Sequence, residues 1–166
     1  LKAMEREQVI AIEEEGYYRE IFKNEARIDI KQEIPNEAQQ IIIDNVMKDY
    51  KQDIYKTYLV KGVTGSGKTL VYIEIIDKMI ALGKEAIVLI PEIALTYQTV
   101  KRFRRRFGKK VTIMNSRLSK GERYEQFEKA KKGEVSIIIG PRSALFAPFQ
   151  NLGVIIIDEE HEPIYK

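Results

Sequence analysis

Residues 62–69 read Gly-Val-Thr-Gly-Ser-Gly-Lys-Thr. An apolar, β-prone run, TYLV at 57–60, precedes them, and LVYIEIIDKMIAL at 70–82 follows with the spacing of a helix. Strand, glycine loop and helix form the setting in which G-x-x-x-x-G-K-[ST] holds phosphate. Gly62, Gly65 and Gly67, with Thr64 and Ser66 between them, let backbone N–H groups turn inward and approach phosphate oxygens closely. The helix that starts near Lys68 adds its positive N-terminal end. Lys68 reaches the β and γ phosphates, and Thr69 offers its hydroxyl to magnesium. The stretch predicts a site for ATP with Mg²⁺.

Outward from the loop the pattern is regular. Strands are expected at 57–61, 85–90, 110–114, 135–139 and 153–157. Helices are expected at 36–50 with Asn36 as N-cap, 68–82, 93–107 and 119–132. Gly83, Gly108 and Gly133 stop the last three. Strands alternating with helices predict an α/β fold with a mostly parallel sheet covered on both faces. The Ile/Val runs agree with strands buried on both sides. Residues 1–23 read as a charged helix with a loose apolar stripe, and 24–35 as a linker. The expected organisation is therefore an N-terminal helical extension with its linker, 1–35, and one lobe, 36–166.

Composition sets bounds. The chain has 166 residues, enough for one domain with a real core. No stretch approaches the roughly 20 apolar residues of a membrane span, and LKAMEREQ is too charged for a signal peptide. With no cysteine, neither a disulfide framework nor a thiolate zinc site is possible, which fits a cytoplasmic protein. A net charge of +3 is a weak pointer to nucleic acid. The chain opens on Leu1 and stops at EPIYK, which reads as a piece of something longer.

VIIIDEEH at 154–161 supplies the second half of the site. An apolar strand delivers Asp158 and Glu159 at its C-terminal end, where ligands sit in open α/β sheets. Asp158 is the candidate to hold magnesium, and Glu159 to orient the attacking water. Glu160 and His161 extend the pair to D-E-E-H.

GVTGSGKT, VLIPEIALTYQTVKRF and IIIGPRSALFAPFQNLGVIIIDEEHEPIYK together resemble the PriA family, the bacterial primosomal DNA helicases of superfamily two. The resemblance covers roughly residues 36–166. It implies a RecA-like P-loop lobe, the first of two, in a 3′-to-5′ helicase that restarts stalled replication forks. It implies a cytoplasmic protein that binds single-stranded or forked DNA, with primosome and single-strand-binding proteins as further partners and no membrane. In the family a His at the position of His161 links nucleotide to nucleic acid. A Gln upstream of the first strand reads adenine; Gln39 is the candidate and Gln40 the second choice. PEIALT and PRSALF resemble the segments that track single-stranded DNA, with Glu92, Thr96, Gln98, Arg142 and Ser143 as their polar members. Zinc is implied only for a cysteine-rich region that this chain lacks. The chain departs from the family pattern at Ala38, at Pro141 and at Asn115-Ser116-Arg117. The resemblance also places the arginine finger on a second lobe, so the lobe alone should be a poor ATPase and no helicase.

KRFRRRF at 101–107 has two readings: a solvated helix face with Phe103 and Phe107 packed inward, or a phosphate-contacting face. Other functions stay open as alternatives. They are another superfamily-two DNA translocase, a small-molecule P-loop kinase, and a DNA-binding module with a structural P-loop.

Overall fold

The computed structural model describes residues 33–63 and 65–163. The expected helix at 1–23 and its linker lie outside the described residues, as does Thr64. In chain order the elements are α1 (Glu37–Lys51), α2 (Lys68–Ala81), β1 (Glu85–Leu89), α3 (Tyr97–Phe107), β2 (Val111–Ile113), α4 (Lys120–Lys131), β3 (Ile137–Gly140) and β4 (Leu152–Ile157). Short 3₁₀ turns occupy Glu92–Ala94, Gly108–Lys110 and Arg142–Phe146.

The sheet runs β2-β3-β1-β4, with every pair parallel. Because consecutive strands are parallel, each link must cross over a face: α3 carries the chain from β1 to β2 and α4 from β2 to β3, while the link from β3 to β4 holds only the 3₁₀ turn Arg142–Phe146. On one face Tyr72, Ile73 and Ile76 of α2 and Val100, Phe103 and Phe107 of α3 pack on Ala86, Val88, Ile137 and Ile139. On the other, Phe127 and Ala130 of α4, with Ala144 and Phe149, cover Ile87, Leu89 and Ile138. Ile43 and Met47 of α1 close a third cluster against Val71, Ile75 and Met79 of α2. Each fully buried Ile or Phe contributes about 1.5–3 kcal/mol. The α/β, RecA-like fold with helices on both faces is therefore present.

Local chemistry sets the helix starts. Asn36 caps α1 through a capping box with Gln39, and Ser119 caps α4 through one with Glu122. The helix expected at 93–107 is divided. Pro91 leads into the 3₁₀ turn, and Thr96 then caps a new helix by accepting from the Thr99 N–H at 3.3 Å. Gly140 shows why the end of β3 has no side chain: a Cβ there would lie 2.6 Å from the Met114 carbonyl oxygen.

The strand expected at 57–61 is not formed, and residues 54–63 carry no regular structure. Asp49, near the end of α1, explains this. Its carboxylate pairs with Lys56 Nζ at 2.5 Å and accepts from the Tyr58 hydroxyl, and its carbonyl accepts from the Ile54 N–H at 2.9 Å. These bonds tie the segment to α1. Leu59 stays 75% exposed, and β4 has β1 as its one strand partner among the described residues.

Candidate nucleotide-binding site

Parallel strands put the ends of β1, β3 and β4 along one edge of the sheet, and the glycine loop meets that edge where α2 begins. Gly67 is the N-cap of α2 with φ 81°, a left-handed conformation that side chains disfavour. A Cβ on Gly67 would also lie 2.5 Å from Gln39 Nε2. The loop folds on itself, with the Ser66 N–H donating to the Val63 carbonyl at 3.1 Å. Lys68 Nζ donates to the carbonyls of Gly62 at 2.7 Å and Val63 at 3.2 Å. The ammonium is thus already aimed across the loop's concave side.

Gln39 lies against this loop. Its Oε1 accepts from the Asn36 N–H at 2.9 Å, and its Nε2 donates to the Ser66 carbonyl at 3.1 Å. Gln40 instead donates to Asp44 at 2.8 Å along α1. Of the two, Gln39 is the one beside the glycine loop.

β4 delivers the acidic residues. The Asp158 N–H donates to the Leu89 carbonyl at 2.9 Å, carrying the β1–β4 pairing one residue past the strand. Asp158 Oδ1 accepts from the Glu159 N–H at 3.2 Å. Glu159 sits at φ 53°, a left-handed backbone that costs a residue with a Cβ about 1–3 kcal/mol. His161 Nε2 is 3.4 Å from Glu159 Oε2, with both side chains largely in solvent.

The two halves meet at Tyr72, which the sequence reading did not single out. Its hydroxyl is 2.9 Å from Asp158 Oδ2 and 3.1 Å from Thr69 Oγ1. The ring is buried and stacked on Phe103, with centroids 6.2 Å apart. Burial, reinforced by the Asp158 charge, holds the phenol well above its ordinary range, so it acts as a neutral hydroxyl. The available signal was its spacing, three residues after Thr69 on one helix face.

Magnesium fits this donor set. It takes hard oxygen ligands, keeps several waters, and is commonly held by one or two protein oxygens plus phosphates. Thr69 and Asp158 offer two such oxygens, both within hydrogen-bond distance of one phenol. Among the described residues there is no cluster of three or more His, Cys, Asp or Glu suited to a metal held by protein alone.

The other candidates occupy the loops after β1 and β3. Glu92 accepts from the Ser116 N–H at 2.6 Å, and hydrogen bonds from Ser116 hold its carboxyl below the ordinary range. Thr96 is engaged as the α3 cap. Gln98, Arg142 and Ser143 are exposed, as are Ile93 at 90% and Phe146 at 76% in the 3₁₀ turns of these loops. The basic helix is divided in its duties. Arg106 bonds to Glu74 at 3.1 Å and Asp77 at 2.8 Å on α2. Lys101 lies over the Tyr97 ring, and Arg104 donates to the Gly108 carbonyl. Arg102 and Arg105 face solvent.

Residues 32–166 match the family model described as Type III restriction enzyme, res subunit. The chain belongs to this family. The res-subunit match covers the glycine loop, the acidic strand end and the segments between them. Among curated relatives, the chain is 44% identical over 165 residues to the "Replication restart protein PriA" of Bacillus subtilis (strain 168), covering 99% of the chain and 20% of the relative. It is 47% identical over 131 residues to the protein of that name from Chlamydia trachomatis, covering 79% and 17%. With the Chlamydia muridarum protein the identity is 53% over 112 residues, covering 68% and 15%. The resemblance read from the motifs is borne out, and the chain spans about a fifth of the length of these relatives. Among the described residues no helix is long and apolar enough to cross a membrane.

Proposed function

We propose that this chain is the ATP-binding first motor lobe of a 3′-to-5′ DNA helicase that acts in replication restart. One observation carries the reading: Tyr72 joins Thr69 of the glycine loop to Asp158 of the acidic strand end at the sheet's ligand edge. A P-loop kinase would have no use for the D-E-E-H run beside that junction.

In this reading residues 62–69, Thr64 included, cradle the phosphates of ATP. Lys68 exchanges its loop carbonyls for β- and γ-phosphate oxygens. Gln39, beside the loop, reads adenine. Thr69 and Asp158 hold magnesium, which when bound neutralises phosphate charge during transfer. Glu159 orients the attacking water, and His161, beside Glu159, relays the state of the nucleotide towards DNA. Thr96, Gln98, Arg142 and Ser143 follow the backbone of a single strand, while Glu92 shapes that path by holding Ser116. Forked DNA, primosome proteins and single-strand-binding proteins are partners of the whole helicase, and the cytoplasm is its place.

A chimera tests this. Residues 36–166 replace the matching stretch of the Bacillus subtilis relative, and cells that depend on the chimera are scored for replication restart. The chimera should support growth, and the same chimera with Lys68→Ala should not. A folded chimera that fails, or a Lys68→Ala chimera that works, would count against the proposal.

A further inference from the structure

We infer that Tyr72 is a positioning residue that presets both magnesium ligands, an inference resting on the nucleotide reading above. The argument is one of proton bookkeeping. A phenol has one proton and can also accept. Asp158 Oδ2, as a carboxylate oxygen, can only accept, so the Tyr72 proton goes to it across 2.9 Å. The phenol is the geometric donor in both contacts, the second reaching Thr69 Oγ1 at 3.1 Å. Its one proton can serve only one of them, so with that proton on Asp158 the Thr69 hydroxyl is left to donate to the phenol oxygen. That direction matters. A threonine that ligates a cation must point its proton away from the metal and its lone pairs towards it. Tyr72 supplies the acceptor that turns the Thr69 proton aside.

The same phenol fixes the carboxylate. Asp158 Oδ2 is held by Tyr72, and Oδ1 accepts from the Glu159 N–H. Rotation of the carboxylate would break both bonds. Tyr72 itself is immobilised, 8% exposed and stacked on Phe103 of α3. Hydrogen-bond partners of this kind set ligand orientation before the ion arrives.

The experiment is calorimetric titration of this chain with ADP, in EDTA and across a magnesium series. Tyr72→Phe keeps the ring and its stacking on Phe103. Affinity in EDTA should be the same in both proteins, and the gain conferred by magnesium should fall about tenfold in Tyr72→Phe. In a Thr69→Ala background, Tyr72→Phe should cost less, because one of its two partners is gone. Magnesium-strengthened binding in the unchanged chain with an equal gain in Tyr72→Phe overturns this inference alone. No magnesium-strengthened binding in the unchanged chain overturns the nucleotide reading and this inference with it. If thermal melting shows that Tyr72→Phe does not fold, 3-fluorotyrosine at position 72 replaces it. Its fluorine resonance should move when magnesium joins bound ADP, and a resonance that stays put overturns the inference.

Discussion

Glu159 holds a backbone conformation that glycine would hold more easily, with φ at 53°. Strain at such a position is retained when the side chain has a task. Two outcomes follow for this one residue. Glu159→Gly should stabilise the lobe by about 1 kcal/mol in urea unfolding, because the conformation is less costly without a Cβ. In the chimera, the roles proposed for Glu159 at the water and Asp158 at the metal predict that Glu159→Gln keeps ATP binding and loses turnover; steady-state hydrolysis near the unsubstituted rate would remove Glu159 from the chemistry. Glu92 gives a pH test. Hydrogen bonds from Ser116 depress its folded pKa below the ordinary 4.5. Its contribution is therefore present above the unfolded value and is lost as pH falls through the depressed folded value. Stability of Glu92→Gln should trail the unchanged chain at pH 7 and draw level with it in strong acid. A stability gap that is the same at both pH values would separate the effect from the Glu92 charge. At this scale the sequence was most informative where spacing is chemistry, in Lys68, Thr69 and Asp158. For Tyr72 it offered only the three-residue spacing from Thr69, because nothing local to α2 reveals that its hydroxyl also meets a residue 86 positions away.

Helices and strands were legible where a periodic apolar face coincides with local caps. The four strands formed lie within one or two residues of their expected bounds, and Asn36 caps α1 as read. The failure at 57–61 has a physical cause. A β-prone run becomes a strand only with a ladder partner, and here Asp49 gathers Lys56 and Tyr58 to α1 instead. Pairing of that sort depends on tertiary placement and leaves no local trace. The basic helix α3 carries its own prediction. Arg106 bridges two carboxylates of α2 with its side chain only 25% exposed, whereas Arg105 faces solvent. Arg106→Ala should destabilise the lobe by about 1 kcal/mol, and Arg105→Ala by less than about 0.5. Equal losses in urea unfolding would show that the bridge to α2 contributes nothing particular.

For the molecule as a whole, one sheet edge holds the nucleotide candidates after β4 and the DNA candidates after β1 and β3. A path made of Arg142, Ser143 and loop N–H groups would contact phosphates and carry no base sequence. Binding of short single strands should be weak, indifferent to sequence and sensitive to salt. If about three phosphates are neutralised, log K should fall against log salt with a slope near −2. Arg142→Ala should flatten that slope by somewhat under one unit in fluorescence anisotropy. An unchanged slope there, with a large change for Arg105→Ala, would move the path to α3. All of this depends on the edge being a nucleotide site. Calorimetric titration of the chain with magnesium and a non-hydrolysable ATP analogue tests that claim most directly. Saturable binding should weaken by about 1.5–3 kcal/mol in Lys68→Ala, the worth of a charge-assisted contact. Equal affinity in the two proteins would contradict the account.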